Sequence, residues 1–238
     1  MKLSILLFLT FCTFTSIGQN LPTGIADRAT YLNDLKTELQ KEWPKNRTIN
    51  IIFHGHSVPA GFFKTPQVNT LGAYPHQFLQ KLKEIYPFAQ INIIVTAIGG
   101  ENSISGAKRF KSDVLIHKPD LILIDYCLND RGAGLQKSYV AWNKMVKQAK
   151  NHGIKVILLT PSPDQSVNYD DPSNELKKHT DQVRRIASEA KVGLVDSYRL
   201  FEFLYPDKEQ IKQYMSQVNH PNEKGHELIA DELITWFK

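Results

Sequence analysis

Five short runs dominated by Ile, Val and Leu, each separated from the next by a stretch with helical spacing, limit what this chain can fold into more than any other feature. The runs are Thr48 to Phe53, Gln90 to Ala97, Asp120 to Cys127, Lys155 to Thr160 and Val192 to Asp196. Short apolar runs of this kind are strands buried on both faces, the situation of a parallel sheet covered by helices. Parallel strands require crossovers, and the intervening stretches supply them. Ala26 to Trp43 reads as a leading helix ended by Pro44. Phe78, Leu79, Leu82, Ile85 and Tyr86 mark the next helix, Ser105 to His117 a third, and Leu135, Tyr139, Trp142, Val146 and Ala149 a fourth. Leu176, Val183 and Ala187 mark a fifth; Tyr198 to Tyr214 reads as helical pieces broken at Pro206, and Leu228 to Phe237 as a closing helix. The expectation is one α/β domain with five parallel strands and right-handed crossovers.

The carboxyl ends of such strands are where open α/β sheets bind ligands and do chemistry. Ser57 follows the first strand in His54-Gly55-His56-Ser57-Val58-Pro59-Ala60-Gly61. Ile98-Gly99-Gly100-Glu101-Asn102-Ser103 follows the second, with glycines that free the backbone to turn and expose its N–H groups. Leu128-Asn129-Asp130-Arg131 follows the third. The fourth opens into a polar loop, Pro161 to Pro172, which contains Asp164 and is long enough to cover a site. Asn219-His220-Pro221-Asn222-Glu223-Lys224-Gly225-His226, just before the closing helix, can bring His220 to the same rim. A serine there becomes a nucleophile if an imidazole takes its proton and a donor pocket holds the oxyanion.

These blocks resemble the SGNH (GDSL-type) hydrolases, a family named for a Ser, Gly, Asn and His in four sequence blocks, and the resemblance covers nearly all of the chain after its first residues. Gly55-His56-Ser57 is similar to the nucleophile block, Gly100-Glu101-Asn102-Ser103 to the second, with Gly99 as a fallback, Leu128-Asn129-Asp130 to the third, and Asn219 to His226 to the histidine block. The resemblance implies a flavodoxin-like three-layer α/β/α sandwich and a cofactor-free serine esterase. It implies that Ser57 attacks a carbonyl carbon, that His220 takes its proton, and that the Ser57 and Gly100 N–H groups with the Asn129 amide hold the oxyanion. By the same analogy the substrate is a small acyl ester, most plausibly acetyl on a carbohydrate.

The chain also departs from the family pattern. His56 stands where an aspartate is usual, and Val95 where the second block often has an asparagine. Gln217 stands three residues before His220, where the family places the aspartate that orients its histidine. Three orienters compete: Gln217 itself, a carboxylate from another loop such as Asp164, or a backbone acceptor. A neutral acceptor holds the tautomer but stabilises imidazolium less than a carboxylate does. These departures keep open an alternative of another class, a catalytically impaired glycan-binding module on the same scaffold. The nearest rival enzyme is an α/β-hydrolase with a nucleophile elbow, which wants Gly-x-Ser-x-Gly, whereas Ser57 is followed by Val58 and Pro59. No recognisable metal-ligand spacing links His54, His56, His220 and His226. Cys127, at the end of an apolar strand, reads as a buried thiol.

Leu3 to Phe14, preceded by Lys2 and followed by Ser16-Ile17-Gly18, has the pattern of a signal peptide over residues 1–18. The run is short for a membrane span and no stop-transfer signal follows. The expectation is an exported protein, periplasmic or secreted, with no membrane anchor after cleavage and a single domain over residues 19–238. The net charge of +5 is spread over several helices, so no nucleic-acid surface is expected. Nothing in the sequence specifies an oligomeric state.

Overall fold

The computed structural model describes residues 24–171 and 173–238. The expected signal segment, residues 1–18, lies outside the described residues. The order is α1 (Asn33–Leu39), β1 (Thr48–Gly55), α2 (Tyr74–Ile85), β2 (Gln90–Val95), α3 (Ser103–Arg109), β3 (Leu121–Asp125), α4 (Cys127–Asp130), α5 (Leu135–Asn151) and β4 (Lys155–Leu159). Then come α6 (Glu175–Ala190), β5 (Gly193–Val195), α7 (Ser197–Glu202), α8 (Lys208–Lys212), β6 (Met215–Gln217), β7 (His220–Pro221) and α9 (Glu223–Ile234).

The five long-range strands form one parallel sheet in the order β2-β1-β3-β4-β5, the flavodoxin-like order. Alternate residues of each strand enter opposite cores. Ile49, Ile51 and Phe53 of β1, with Leu121, Leu123, Ile157 and Leu159, pack against α2, α9 and the carboxyl-terminal Trp236 and Phe237. Ile52, Ile122, Ile124, Val156 and Leu158 pack against Phe110, Trp142, Met145 and Val183 on the other side. The result is the expected three-layer sandwich.

Several boundaries moved. The leading helix is limited to Asn33–Leu39, because residues before it are held in turns by Asp27, whose carbonyl accepts the Tyr31 N–H and whose carboxylate accepts the Ala29 N–H. The third strand ends at Asp125 rather than Cys127, since the chain turns at once into α4. The helix after β2 starts at Ser103 and loosens after Arg109 into a wider turn, Phe110–Val114, and then a tighter one, Leu115–His117. The antiparallel pair β6 and β7 was not expected from the sequence. Two such short strands carry too few residues to show an alternation.

The order of strands reverses between β1 and β3, so the crevice at their carboxyl ends is the topological switch point. Ser57 lies two residues beyond β1, at that crevice. Among the described residues no helix is long and apolar enough to cross a membrane.

Candidate active site

Ser57 leaves β1 in a tight turn. The Ala60 N–H donates to the His56 carbonyl, the Gly61 N–H to the Val58 carbonyl and the Phe62 N–H to the Ser57 carbonyl. Gly55 permits this approach, because a Cβ there would stand 2.4 Å from the Asp125 carbonyl oxygen and 2.7 Å from Pro59 Cγ.

His220 arrives from the other end of the chain, 163 positions away, and its Nε2 stands 2.9 Å from Ser57 Oγ. Both residues are nearly buried, at 7% and 6% exposure. The β6–β7 pair positions the imidazole, with Gln217 opposite His220. Ser216 Oγ donates to the His220 carbonyl, and Asn222 caps α9 by accepting the Gly225 N–H while donating to the Gln213 carbonyl. An N-cap of this type satisfies a donor that the first helical turn leaves open.

The other imidazole nitrogen, Nδ1, lies 2.9 Å from the Phe63 carbonyl oxygen and 2.8 Å from Gln217 Nε2. The Gln217 side-chain oxygen, Oε1, accepts the Thr65 N–H at 2.9 Å, which turns the amide nitrogen towards the imidazole. With Nε2 facing the serine hydroxyl as acceptor, Nδ1 carries the proton and donates it to Phe63. The backbone acceptor and Gln217 are therefore both at His220. Asp164 is not. Its carboxylate accepts from Arg131 Nη2 and from the Ser166 N–H and hydroxyl, and those bonds hold its pKa below the usual carboxylate range against its burial. Of the three alternatives the sequence leaves open, Asp164 is corrected: its carboxylate is committed to Arg131 and Ser166 and not to His220. The neighbouring Gln165 touches the hairpin instead, with its N–H donating to the Val218 carbonyl and its side chain to the Gln217 carbonyl.

Burial lowers the His220 pKa, the Phe63 carbonyl opposes that, and the neighbouring His56 imidazole adds to the lowering. Phe63 is itself braced, its ring stacked on His226 at 5.5 Å, while His226 Nδ1 accepts the Tyr74 N–H.

The expected oxyanion donors sit at the exits of β1, β2 and β3. The Ile98 N–H donates to the Gly55 carbonyl, which ties the glycine loop after β2 to the serine turn. Gly100 sits in the left-handed region at φ +77°, with open space where a side chain would be. The Ser57 and Gly100 N–H groups meet no acceptor among the described residues. Asn129 Nδ2 spends one hydrogen on the Glu101 carbonyl at 2.9 Å and keeps the other. Glu101 was noted in the sequence only as part of a block. Its carboxylate accepts from Arg109 and from the Tyr126 hydroxyl, so it ties the glycine loop to α3 and to the end of β3. Free donors beside a nucleophile can hold developing negative charge on an oxygen.

His56 is a residue the sequence reading left without a role. Its Nδ1 is 3.3 Å from Ser57 Oγ and its Nε2 is 3.3 Å from Asp125 Oδ1. His54, by contrast, is packed between Phe110 and Tyr126 and bonded to Thr96 and the Gly106 carbonyl. Cys127 is buried, and burial pushes its thiol pKa up. No group of three or more His, Cys, Asp or Glu among the described residues is arranged to hold a metal ion.

Residues 53–228 match the family described as the GDSL-like lipase/acylhydrolase family. No curated protein sequence matches the chain. Among solved structures, the chain is similar to Axe2, an acetylxylan esterase from Geobacillus stearothermophilus, with a TM-score of 0.65 and 22% identity over 79% of this chain and 94% of that one. Variants of that enzyme described as catalytic mutants replace a serine and a histidine. The chain is also similar to a two-domain esterase active on acetylated mannans, with a TM-score of 0.68 and 20% identity over 86% of this chain and 51% of that one.

Proposed function

The chain belongs to the GDSL-like lipase/acylhydrolase family and is an ester-hydrolysing enzyme, and on that premise we propose that it is an exported esterase removing a small acyl group, acetyl, from a carbohydrate. Ser57 Oγ attacks the ester carbonyl carbon as His220 Nε2 takes its proton. The carbonyl oxygen, now negative, is held by the Ser57 and Gly100 N–H groups and the free hydrogen of the Asn129 amide. His220 then gives its proton to the leaving sugar oxygen, and the acyl-Ser57 ester is cleaved by water with His220 as base once more.

The observation that carries this reading is the 2.9 Å contact between Ser57 Oγ and His220 Nε2 at the switch point of the sheet. The carbohydrate part is supported by the named neighbours, which act on acetylated xylan and acetylated mannans. Export is supported by the apolar leader.

The test is turnover of an activated acetyl ester and of acetylated xylo- and manno-oligosaccharides by the mature chain and its Ser57→Ala variant. The expected result is acetate release by the parent and its loss, by ~10³-fold or more, in the variant. Binding of the oligosaccharide with no release in either form would instead identify a glycan-binding module.

A further inference from the structure

We infer that His56 is a second general base for Ser57, with Asp125 as its positioning and charge-compensating partner. This rests on the esterase reading and adds a catalytic residue to the same site.

The serine hydroxyl has one proton and two imidazole nitrogens within reach, His220 Nε2 at 2.9 Å and His56 Nδ1 at 3.3 Å. The tautomer of His56 follows from its neighbours. The Val58 N–H donates to Nδ1, which must therefore offer a lone pair, and the ring proton sits on Nε2, facing Asp125. His56 and Asp125 are 1% and 5% exposed. Asp125 Oδ2 accepts the Tyr74 hydroxyl at 3.1 Å, whereas Oδ1 receives no aligned hydrogen bond among the described residues and has His56 Nε2 as its near neighbour. A buried carboxylate oxygen left without a donor is costly, and a positive charge on the imidazole beside it removes much of that cost. His56 is thus the imidazole with a carboxylate behind it, while the nearer His220 has a carbonyl and an amide nitrogen. The acid absent from position 217 has its counterpart on the other side of the nucleophile.

The two bases are not equivalent. His56 is 1% exposed and its Nδ1 meets only Ser57 Oγ and the Val58 N–H among the described residues, so it can take the nucleophile's proton without delivering one to a leaving alcohol. For an ester whose leaving group departs as a stable anion, the step balances without His220. Oγ bonds to the carbonyl carbon, the π pair moves to the carbonyl oxygen, and the proton passes to His56 Nδ1. The π bond then reforms as the bond to the leaving oxygen breaks and carries its electron pair away. Acetyl-Ser57 remains beside an imidazolium paired with Asp125; hydroxide then adds to the acyl carbon, the bond to Oγ breaks, and Oγ takes back the proton from His56 as acetic acid leaves.

The experiment is stopped-flow reaction of p-nitrophenyl acetate with the full mature chain. His220→Ala is expected to release one equivalent of p-nitrophenolate per enzyme in a burst, to carry an acetyl adduct on Ser57, and to release no acetate from acetylated sugars. Adding His56→Asn, which keeps an acceptor for the Val58 N–H, slows the burst by ~10²-fold or more. Asp125→Asn slows the burst in His220→Ala but has no further effect once His56→Asn is present, a pattern that loosened packing does not produce. His220→Gln supplies the same background if His220→Ala does not fold. Wild-type turnover with no burst in the His220 variants, or a burst undiminished by His56→Asn, overturns the inference. Absence of turnover in the wild type overturns the esterase reading itself.

Discussion

At Nδ1 of His220 two neighbours make opposite demands. The Phe63 carbonyl needs a proton there, and the Gln217 amide nitrogen, held in place by the Thr65 N–H on its oxygen, favours a lone pair. A carboxylate at the same place would accept from both Thr65 and the imidazole and would favour imidazolium. Gln217→Glu, which has nearly the same shape, is expected to raise kcat by ~10-fold on acetylated sugars. It is also expected to move the acid limb of kcat/KM upward. In the parent, burial holds the His220 pKa below its ordinary 6.5, and the neutral form is the one that accepts a proton. The acid limb of the parent therefore lies below pH 6.5, and a pH profile of the two forms checks both statements. Ser57, Gly100, Asn129 and His220 were all legible as candidates because each stands in a short block at a strand end or before the last helix. Phe63 was not legible, since it contributes a carbonyl that every residue carries.

The elements matter through how closely they approach. β1 and β3 meet at Gly55 and Asp125, where no Cβ fits at residue 55 without displacing the Asp125 carbonyl or Pro59. Gly55→Ala is expected to lower the unfolding free energy by ~1–3 kcal/mol, the usual cost of overpacking, read from urea denaturation. Because Ser57 hangs two residues beyond that contact, kcat should fall by ~10-fold or more with little change in the sheet's circular dichroism. A variant with parental kcat would show that the serine turn is not set by the strand contact. The five strands could be read directly, as their apolar runs are long enough to declare burial on both faces. The β6–β7 pair could not, although it sets the place of His220, since Met215–Gln217 and His220–Pro221 gain their pairing only from each other.

On the scale of the whole molecule, the two faces of the sheet each bury a neutral histidine. Burial lowers the pKa of His54, in the face that holds Phe110 and Tyr126, to about 4, and that of His226, beneath Phe63 and Tyr74, to about 3. Both values lie below 6.5, so the unfolded chain takes up protons first as pH falls. The stability these residues contribute is complete above pH 6.5 and is lost on acidification towards pH 4 for His54 and pH 3 for His226. Each contributes a slope of ~1.4 kcal/mol per pH unit within its window, so the pair gives ~2.7 kcal/mol per pH unit, or ~4 kcal/mol between pH 6 and 4.5. Urea unfolding at pH 7, 6 and 5 should show that decline, and His226→Gln should halve its slope. A stability that does not change over this range would mean that these rings are solvated or already charged in the folded chain.

The amino-acid sequence by itself determined the class of fold and the residues that can do chemistry at its rim, because apolar periodicity, helix stops and turn glycines act over a few neighbouring positions. The tertiary structure alone decided how those residues are partnered. It put the Phe63 carbonyl and the Gln217 amide behind His220, committed Asp164 to Arg131, and set His56 between Ser57 and Asp125. Such pairings depend on differences of an ångström between loops far apart in the chain, and a hydrogen bond gained or lost over that distance leaves no trace in the spacing of residues.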